Sequence, residues 1–178
     1  MVDAKAIIKK YYPKGEARNI LITHGEEVRD LALKIVDNHP ELEADRDFVA
    51  EAAMLHDIGI FLVNSPRIDC HGRQPYICHG YLGRAILEKE GLPLHALVCE
   101  RHIGVGIKKK DVIARNLPIP LRDMRPKSIE EKIICFADLY YSKSHLGEKI
   151  SEEVIIRKLR RHGDDKVKKY KRWCKKFL

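Results

Sequence analysis

The sequence predicts an all-α fold, a helical bundle with a basic helical extension at its C-terminal end. Apolar residues return at steps of three and four along most of the chain, the period of a helix with one buried face, and no segment alternates as a half-buried strand does. The scale fits as well, because 178 residues suffice for one domain whose core needs no disulfide. We read 1–178 as a single domain, with a core over about 16–145 and the extension over 151–178.

Asp3 to Tyr12 reads as a short helix stopped by Pro13. Glu16 to His39 follows, with Ile20, Leu21, His24, Val28, Leu31 and Ile35 on one seam, and ends before Pro40. Arg46 to Ile60 is expected as one helix that sets Val49, Ala52, Ala53 and His56 on one face, with Asp57 beside Ala53. Between Asn64 and Cys78 the helical period is lost, and Pro66, Gly72 and Pro75 punctuate a long loop of the kind that is often functional. Helix resumes at His79, over Leu82, Ile86 and Leu87, and stops at Gly91. Pro93 to His102 forms the next one, closed by Gly104-Val105-Gly106. Ser128 can cap a further helix through a capping box with Glu131, and that helix continues through Ile133, Ile134, Ala137, Asp138 and Tyr141. Ser151 to Arg161 and Asp164 to Phe177 form the extension, split at Gly163.

Charge is unevenly placed. Eleven Lys and Arg lie between Arg157 and Lys176 against Asp164 and Asp165, so this stretch carries +9 and the rest of the chain about −1. Val167, Tyr170, Trp173, Cys174 and Phe177 recur at helical spacing and would anchor one side of the last helix, which makes its basic side first a solvated face. Contact with nucleic acid or steering of an anionic substrate is the other use of such charge. Five cysteines, Cys70, Cys78, Cys99, Cys135 and Cys174, are odd in number and form no Cys-x-x-Cys pair, so a reducing cytoplasm is expected rather than a disulfide framework. The N-terminal residues lack the apolar core of a signal peptide, and no later run could span a bilayer, so no membrane partner is expected.

The most informative pair is His56-Asp57, an imidazole and a carboxylate side by side directly after the apolar stretch Ala52-Ala53-Met54-Leu55. Buried without a partner, that carboxylate would be costly. A divalent ion removes the cost, since imidazole nitrogen and carboxylate oxygen both suit iron, manganese and zinc. Any one His or Asp on a seam is ordinarily a hydrogen-bonded core residue. His24, His79, His102 and Asp138, however, also sit in or beside apolar helical segments, and inward imidazoles and carboxylates from separate helices are most simply satisfied together by metal. His71 is the main rival from the loop, ahead of His39, His95, His145 and His162. A zinc cluster of Cys70, His71, Cys78 and His79 fits no common ligand spacing.

Thr23-His24-Gly25 followed by Val28, then Met54-Leu55-His56-Asp57-Ile58-Gly59, then Phe136-Ala137-Asp138-Leu139, resembles the HD superfamily of metal-dependent phosphohydrolases over Glu16 to His145. The resemblance implies an HD-domain helical bundle in which His24, His56, Asp57 and Asp138 hold one metal. His79, in His79-Gly80-Tyr81-Leu82-Gly83, and His102, in Glu100-Arg101-His102-Ile103-Gly104, stand where a dinuclear subset carries two further histidines. That implies a second ion bridged by Asp57. The arrangement is similar to HD-type dinucleoside polyphosphate hydrolases, including Glu131-Lys132-Ile133-Ile134 on the approach to the last Asp. It departs from the HD-GYP cyclic-dinucleotide phosphodiesterases, because the second His of their His-His-Glu motif is Ile103 here.

What the resemblance implies chemically is hydrolysis of a small phosphorylated substrate, a nucleotide or another phosphoester or phosphoanhydride, through a metal-bound hydroxide. The cofactor would be two divalent ions, iron or manganese first, with zinc, magnesium, nickel and cobalt behind them. Arg84, Arg101 and Lys108 are the candidates to meet negative charge developing on the phosphoryl group; Arg84 and Arg101 read equally well as surface ion-pair residues, and Lys108-Lys109-Lys110 more often as a solvated loop. Two other functions are compatible with this ligand set: a di-iron oxygenase of the same fold, and a non-catalytic nucleic-acid-binding protein with a structural metal. The loop from Asn64 to Cys78 is expected to border the mouth of the site without ligating metal.

Overall fold

A computed structural model describes residues 2–178 and shows a helical bundle. Its helices are α1 (Ala4–Tyr11), α2 (Glu16–Asn38), α3 (Arg46–Leu55), α4 (His79–Lys89), α5 (Pro93–Arg101), α6 (Lys109–Ala114), α7 (Ile129–Asp138), α8 (Glu152–Arg160) and α9 (Asp164–Phe177). The only sheet among the described residues is a ribbon of two short antiparallel strands, β1 (Asn64–Ser65) and β2 (Cys70–His71). Among the described residues, no helix is long and apolar enough to cross a membrane.

The long helix α2 is the spine, packing on α3 and α7. Its buried seam serves two apolar clusters in succession. Ile20 and Leu21 join Ile8, Tyr12, Leu55, Ile58, Leu87 and Cys99, while Val28, Leu31 and Ile35 join Ile133, Phe136, Tyr170 and Trp173. His24 falls on the same seam between the two, which puts a buried imidazole where the cores meet. The extension belongs to the second cluster, since Ile155 and Leu159 of α8 and Val167, Tyr170, Trp173 and Phe177 of α9 are all buried in it. Cys174, expected beside them, stays half-buried.

One expected helix ends early. The spacing predicts Arg46 to Ile60 in a single element, but α3 stops at Leu55, and a 3₁₀ turn occupies Ile58–Leu62. The cause is remote in sequence. Buried Tyr12 donates its hydroxyl to the Ile58 carbonyl at 2.8 Å and accepts the Phe61 N–H at 3.0 Å, which satisfies the backbone of a tight turn instead of an α-helix. His56 and Asp57 thereby become the hinge between the two elements, with both side chains turned inward. At the start of α7, Ser128 accepts the Glu131 N–H at 3.1 Å as expected, but the Glu131 carboxylate accepts the N–H of Lys127 at 2.7 Å, so the reciprocal half of the capping box is displaced by one residue.

The 3₁₀ turn must press directly on α4 to bring Asp57 to His79. A Cβ at Gly59 would stand 2.3 Å from the His79 carbonyl oxygen and 2.6 Å from the Gly83 nitrogen, and backbone cannot yield as a side chain can. We expect Gly59→Ala to lose about 2 kcal/mol or more of stability in urea unfolding, at the upper end of ordinary overpacking. An unchanged unfolding midpoint would show that the two elements are free to separate.

Candidate metal centre

Five helical elements deliver four imidazoles and two carboxylates to the junction of the two cores. His24 comes from α2, His56 and Asp57 from the end of α3, His79 from the start of α4, His102 from the end of α5, and Asp138 from the last residue of α7. All are buried except Asp138, which is partly exposed to a cleft.

Helix ends orient three of these rings. Nδ1 of His56 lies 2.6 Å from the Ala53 carbonyl, that of His79 2.6 Å from Tyr76, and that of His102 2.7 Å from Cys99, in each case the carbonyl three residues back. A carbonyl only accepts, so each Nδ1 carries the hydrogen and each Nε2 is aimed at the cluster. Asp57 divides its oxygens between two sets of rings. Oδ2 is 3.0 Å from Nε2 of His56 and 3.3 Å from that of His24, while Oδ1 is 3.3 Å from Nε2 of His79 and 3.4 Å from that of His102. Asp138 closes the first set, its Oδ1 3.0 Å from His24 Nε2 and 3.4 Å from His56 Nε2.

These donors fit a metal. Nε2 of His79 and of His102 are 3.1 Å apart, and as neutral rings they turn lone pairs on one another with no hydrogen between them. Two imidazole nitrogens at about 2.1 Å from a shared ion would be separated by about that much. Asp57 Oδ1 and Nε2 of His56 are buried without a hydrogen-bond partner, and Asp57 Oδ2 meets only an ion-pairing ammonium, although such groups are ordinarily satisfied. Ligand atoms fall into two groups, His24 with His56, Asp57 and Asp138, and Asp57 with His79 and His102, each within 4.8 Å. Among the described residues no other group of this kind is present.

The one ammonium at the cluster belongs to Lys143, whose Nζ is 2.5 Å from Asp57 Oδ2 with its side chain only 11% exposed. Burial pushes the Asp57 carboxyl up, but Lys143 and His56 outweigh it and hold it well below the usual carboxylate range. Asp138 is likewise held low against burial, by the hydrogen bond from His24 and by the neighbouring His56 ring. Burial opposes protonation of His56, yet Asp57 and Asp138 raise its pKa to about 10. His79 goes the other way, to about 4, because burial dominates and His102 and Lys143 add to it against Asp57. At neutral pH, then, His79 offers a ready lone pair, while an ion reaching His56 must displace a proton.

The cleft above the cluster has a volume of about 470 Å³. His79, His102 and Asp138 form its floor, Ser65, Arg67, Ile68 and Tyr76 of the 64–78 segment one wall, and Ser142, Lys143, Ser144 and Lys158 the other. That segment thus borders the mouth. His71 does not reach the centre, being exposed and 3.2 Å from Asp69. His39, His95, His145 and His162 pair with Glu41, Glu51, Ser144 and Arg115 respectively. The four residues considered for a zinc cluster do not form one.

Arg84, Arg101 and Lys108 are not brought to the cleft, a correction to the sequence reading. Arg84 binds Glu100 at 2.7 Å and Glu88 at 2.8 Å, Arg101 binds buried Glu131 at 2.8 Å, and Lys108 binds Asp165 at 2.6 Å. Arg101 thereby ties the end of α5, next to His102, to the start of α7, a positioning role. Sequence reasoning missed Lys143, Arg67, Tyr76 and Lys158. Lys143 follows α7 in an aperiodic turn, and only its five-residue distance from Asp138 could have suggested it.

The family model described as HD domain matches residues 21–142. A Picrophilus torridus protein named tRNA (cytidine(56)-2'-O)-methyltransferase is 35% identical over 123 residues, covering 68% of this chain and 31% of that protein. An uncharacterised Methanocaldococcus jannaschii protein is 39% identical over 110 residues, covering 61% of this chain and 56% of that protein. The chain therefore matches less than two thirds of the length of either relative. No solved structure matches it.

Because both ligand groups share Asp57, Asp57→Asn is expected to remove most bound metal while the helical circular dichroism persists. Full metal content in that variant would refute the shared carboxylate. Metal uptake by the native chain should release protons at neutral pH and weaken progressively as pH falls below about 10, since His56 is protonated without the ion. Calorimetry in buffers of different ionisation enthalpy measures that release.

Proposed function

The chain belongs to the HD domain family, matched over 21–142, and from that premise we propose that it is a metal-dependent phosphohydrolase acting on a nucleotide or another phosphoester or phosphoanhydride. The observation that carries the reading is the division of Asp57 between two imidazole sets beneath an open, cation-bearing cleft. His24, His56, Asp57 and Asp138 would hold one ion, and His79 and His102 a second with Asp57. A divalent ion there supplies a Lewis acid that acidifies water and neutralises phosphoryl charge. Iron and manganese are the first candidates for a centre of imidazole and carboxylate.

The chain's own residues have separable tasks. Carbonyls of Ala53, Tyr76 and Cys99 fix the ring orientations, so the ligands need no reordering during reaction. Lys143 balances Asp57 in the metal-free cluster. Lys143 also lines the cleft beside the hydroxyls of Ser142 and Ser144, where its ammonium would meet a phosphoryl oxygen with a metal bound at Asp57. Tyr76, 41% exposed, offers an aromatic face at the same opening. The relative named for a tRNA methyltransferase supports a substrate drawn from nucleotide or RNA chemistry.

An anaerobic preparation loaded with Mn²⁺ or Fe²⁺ and screened for phosphate release across nucleotides tests the reading. Oxygen uptake by the iron form without phosphate release would replace it with the oxygenase alternative. Within the hydrolase reading, Lys143→Met should keep its metal and lose roughly 10²- to 10³-fold in kcat, the scale of one lost charge-stabilising donor. His79→Ala and His102→Ala should instead lower metal content. Metal loss in Lys143→Met would reduce Lys143 to a positioning residue for Asp57.

A further inference from the structure

Three depressions in the surface share one wall, the loop that follows His102. Ile103 and Gly104 line both the metal cleft and a smaller cavity of about 90 Å³, and Val105, Gly106 and Lys166 line both that cavity and a groove of about 220 Å³ beside α9. At Gly104, nothing lies within 4 Å of where a Cβ would stand, so bare backbone faces the opening.

The chemistry alternates along this wall. At the metal end stand Arg67, Lys143 and Lys158. The middle cavity is lined by Ile77, Ile103, Ile107, Leu117 and Leu159 together with Arg115, His162 and the Lys166–Asp111 pair. The far groove holds Lys108, Arg125, Lys166, Lys169 and Arg172 against a single acid, Asp165. Part of that charge is internal to the protein: Lys108 pairs with Asp165, Arg125 with Asp123 and Lys166 with Asp111. Among the described residues Arg172 has no carboxylate partner, and Lys169 donates only to the Val105 carbonyl at 2.8 Å. Burial depresses the Lys169 pKa, and Arg125, Lys166 and Lys132 depress it further, as crowded cations without enough anions would.

From this continuity we propose that the Ile103–Gly106 loop is the floor of a track that carries a single strand of nucleic acid from the α9 groove into the metal cleft, so that the phosphoester presented to the metals is part of a polymer. The proposal deepens the phosphohydrolase reading and rests on it for the chemistry at the metals. Cations spaced by an apolar pocket suit phosphates alternating with bases, as in grooves that hold single strands. The middle cavity, about 90 Å³, is far too small to admit a duplex.

The test uses the full chain and a fluorescent single-stranded RNA of about twelve nucleotides, within the range of single-strand sites. Arg125→Glu/Arg172→Glu reverses two charges in the groove, while Lys168→Glu/Lys171→Glu reverses two on the same extension outside it. The groove pair should weaken binding at least about tenfold and flatten the salt slope by about 1.4, or 0.7 per lost phosphate contact. The outside pair should change affinity no more than about threefold, and Lys158→Glu, at the cleft end, should weaken it about fivefold or more, in keeping with a lost phosphate contact. Equal losses from the two pairs would mean bulk attraction and overturn the track, as would no effect of Lys158→Glu. Absence of strand binding at low salt, or binding only to phosphatidylserine vesicles, would overturn it too. Binding is read without turnover, so a failure of hydrolysis alone falls on the reading of the metal centre.

Discussion

The structure is organised around one buried negative charge. Asp57 is fully enclosed, at the meeting point of two apolar clusters, where an uncompensated carboxylate would cost several kcal/mol, on the order of what a whole domain has to spare. Its charge is balanced by the His56 ring and by the ammonium of Lys143 after α7, and further imidazoles converge on it from α2, α4 and α5, chain segments far apart in sequence. Each must arrive within about 3 Å, which sets where α3 breaks, how closely α4 approaches and where α5 ends. Glycine at 59 is a consequence of that constraint, since any side chain there would hold His79 away from the carboxylate.

Helix ends solve the orientation problem cheaply. Carbonyls in a last turn lack intrahelical partners, and an imidazole at the cap can satisfy one while fixing its own tautomer. His56 and His102 use the final turns of α3 and α5, and His79 uses the 3₁₀ turn that leads into α4. His24 is the exception. It sits in the middle of α2, its Nδ1 has no partner, and only the seam of the long helix and its contacts to Asp57 and Asp138 hold it.

What the sequence made legible follows from the same distinction between local and remote causes. Periodicity located the helices because each buries one face, and it placed His24 and Asp138 on seams for the same reason. His56-Asp57 was readable as a buried polar pair that the apolar stretch before it could not satisfy. The early end of α3 was not readable, because it depends on the Tyr12 hydroxyl, and Lys143 was not, because an aperiodic turn gives no sign of where its side chain goes. Arg84 and Arg101 were placed near their histidines correctly along the chain, but Glu100 and Glu131, themselves buried, claim them. A carboxylate inside the fold draws a neighbouring guanidinium more strongly than an open cleft can.

The extension does more than present a solvated basic face. Trp173, Tyr170 and Phe177 anchor α9 in the core, as an amphipathic helix with a solvated basic face requires. Yet Lys166 and Lys169 leave that face to donate to the carbonyls of Gly106 and Val105, each at 2.8 Å. Those carbonyls belong to the loop that begins one residue after His102, and Cys135 of α7 holds the same stretch from the other side through the carbonyls of His102 and Gly104. Backbone groups in such a loop would otherwise have to be met by water, leaving its path to solvent fluctuation. Clamped between α7 and α9, the loop is held directly after His102, so the packing that anchors the extension also fixes the backbone that leaves the metal centre.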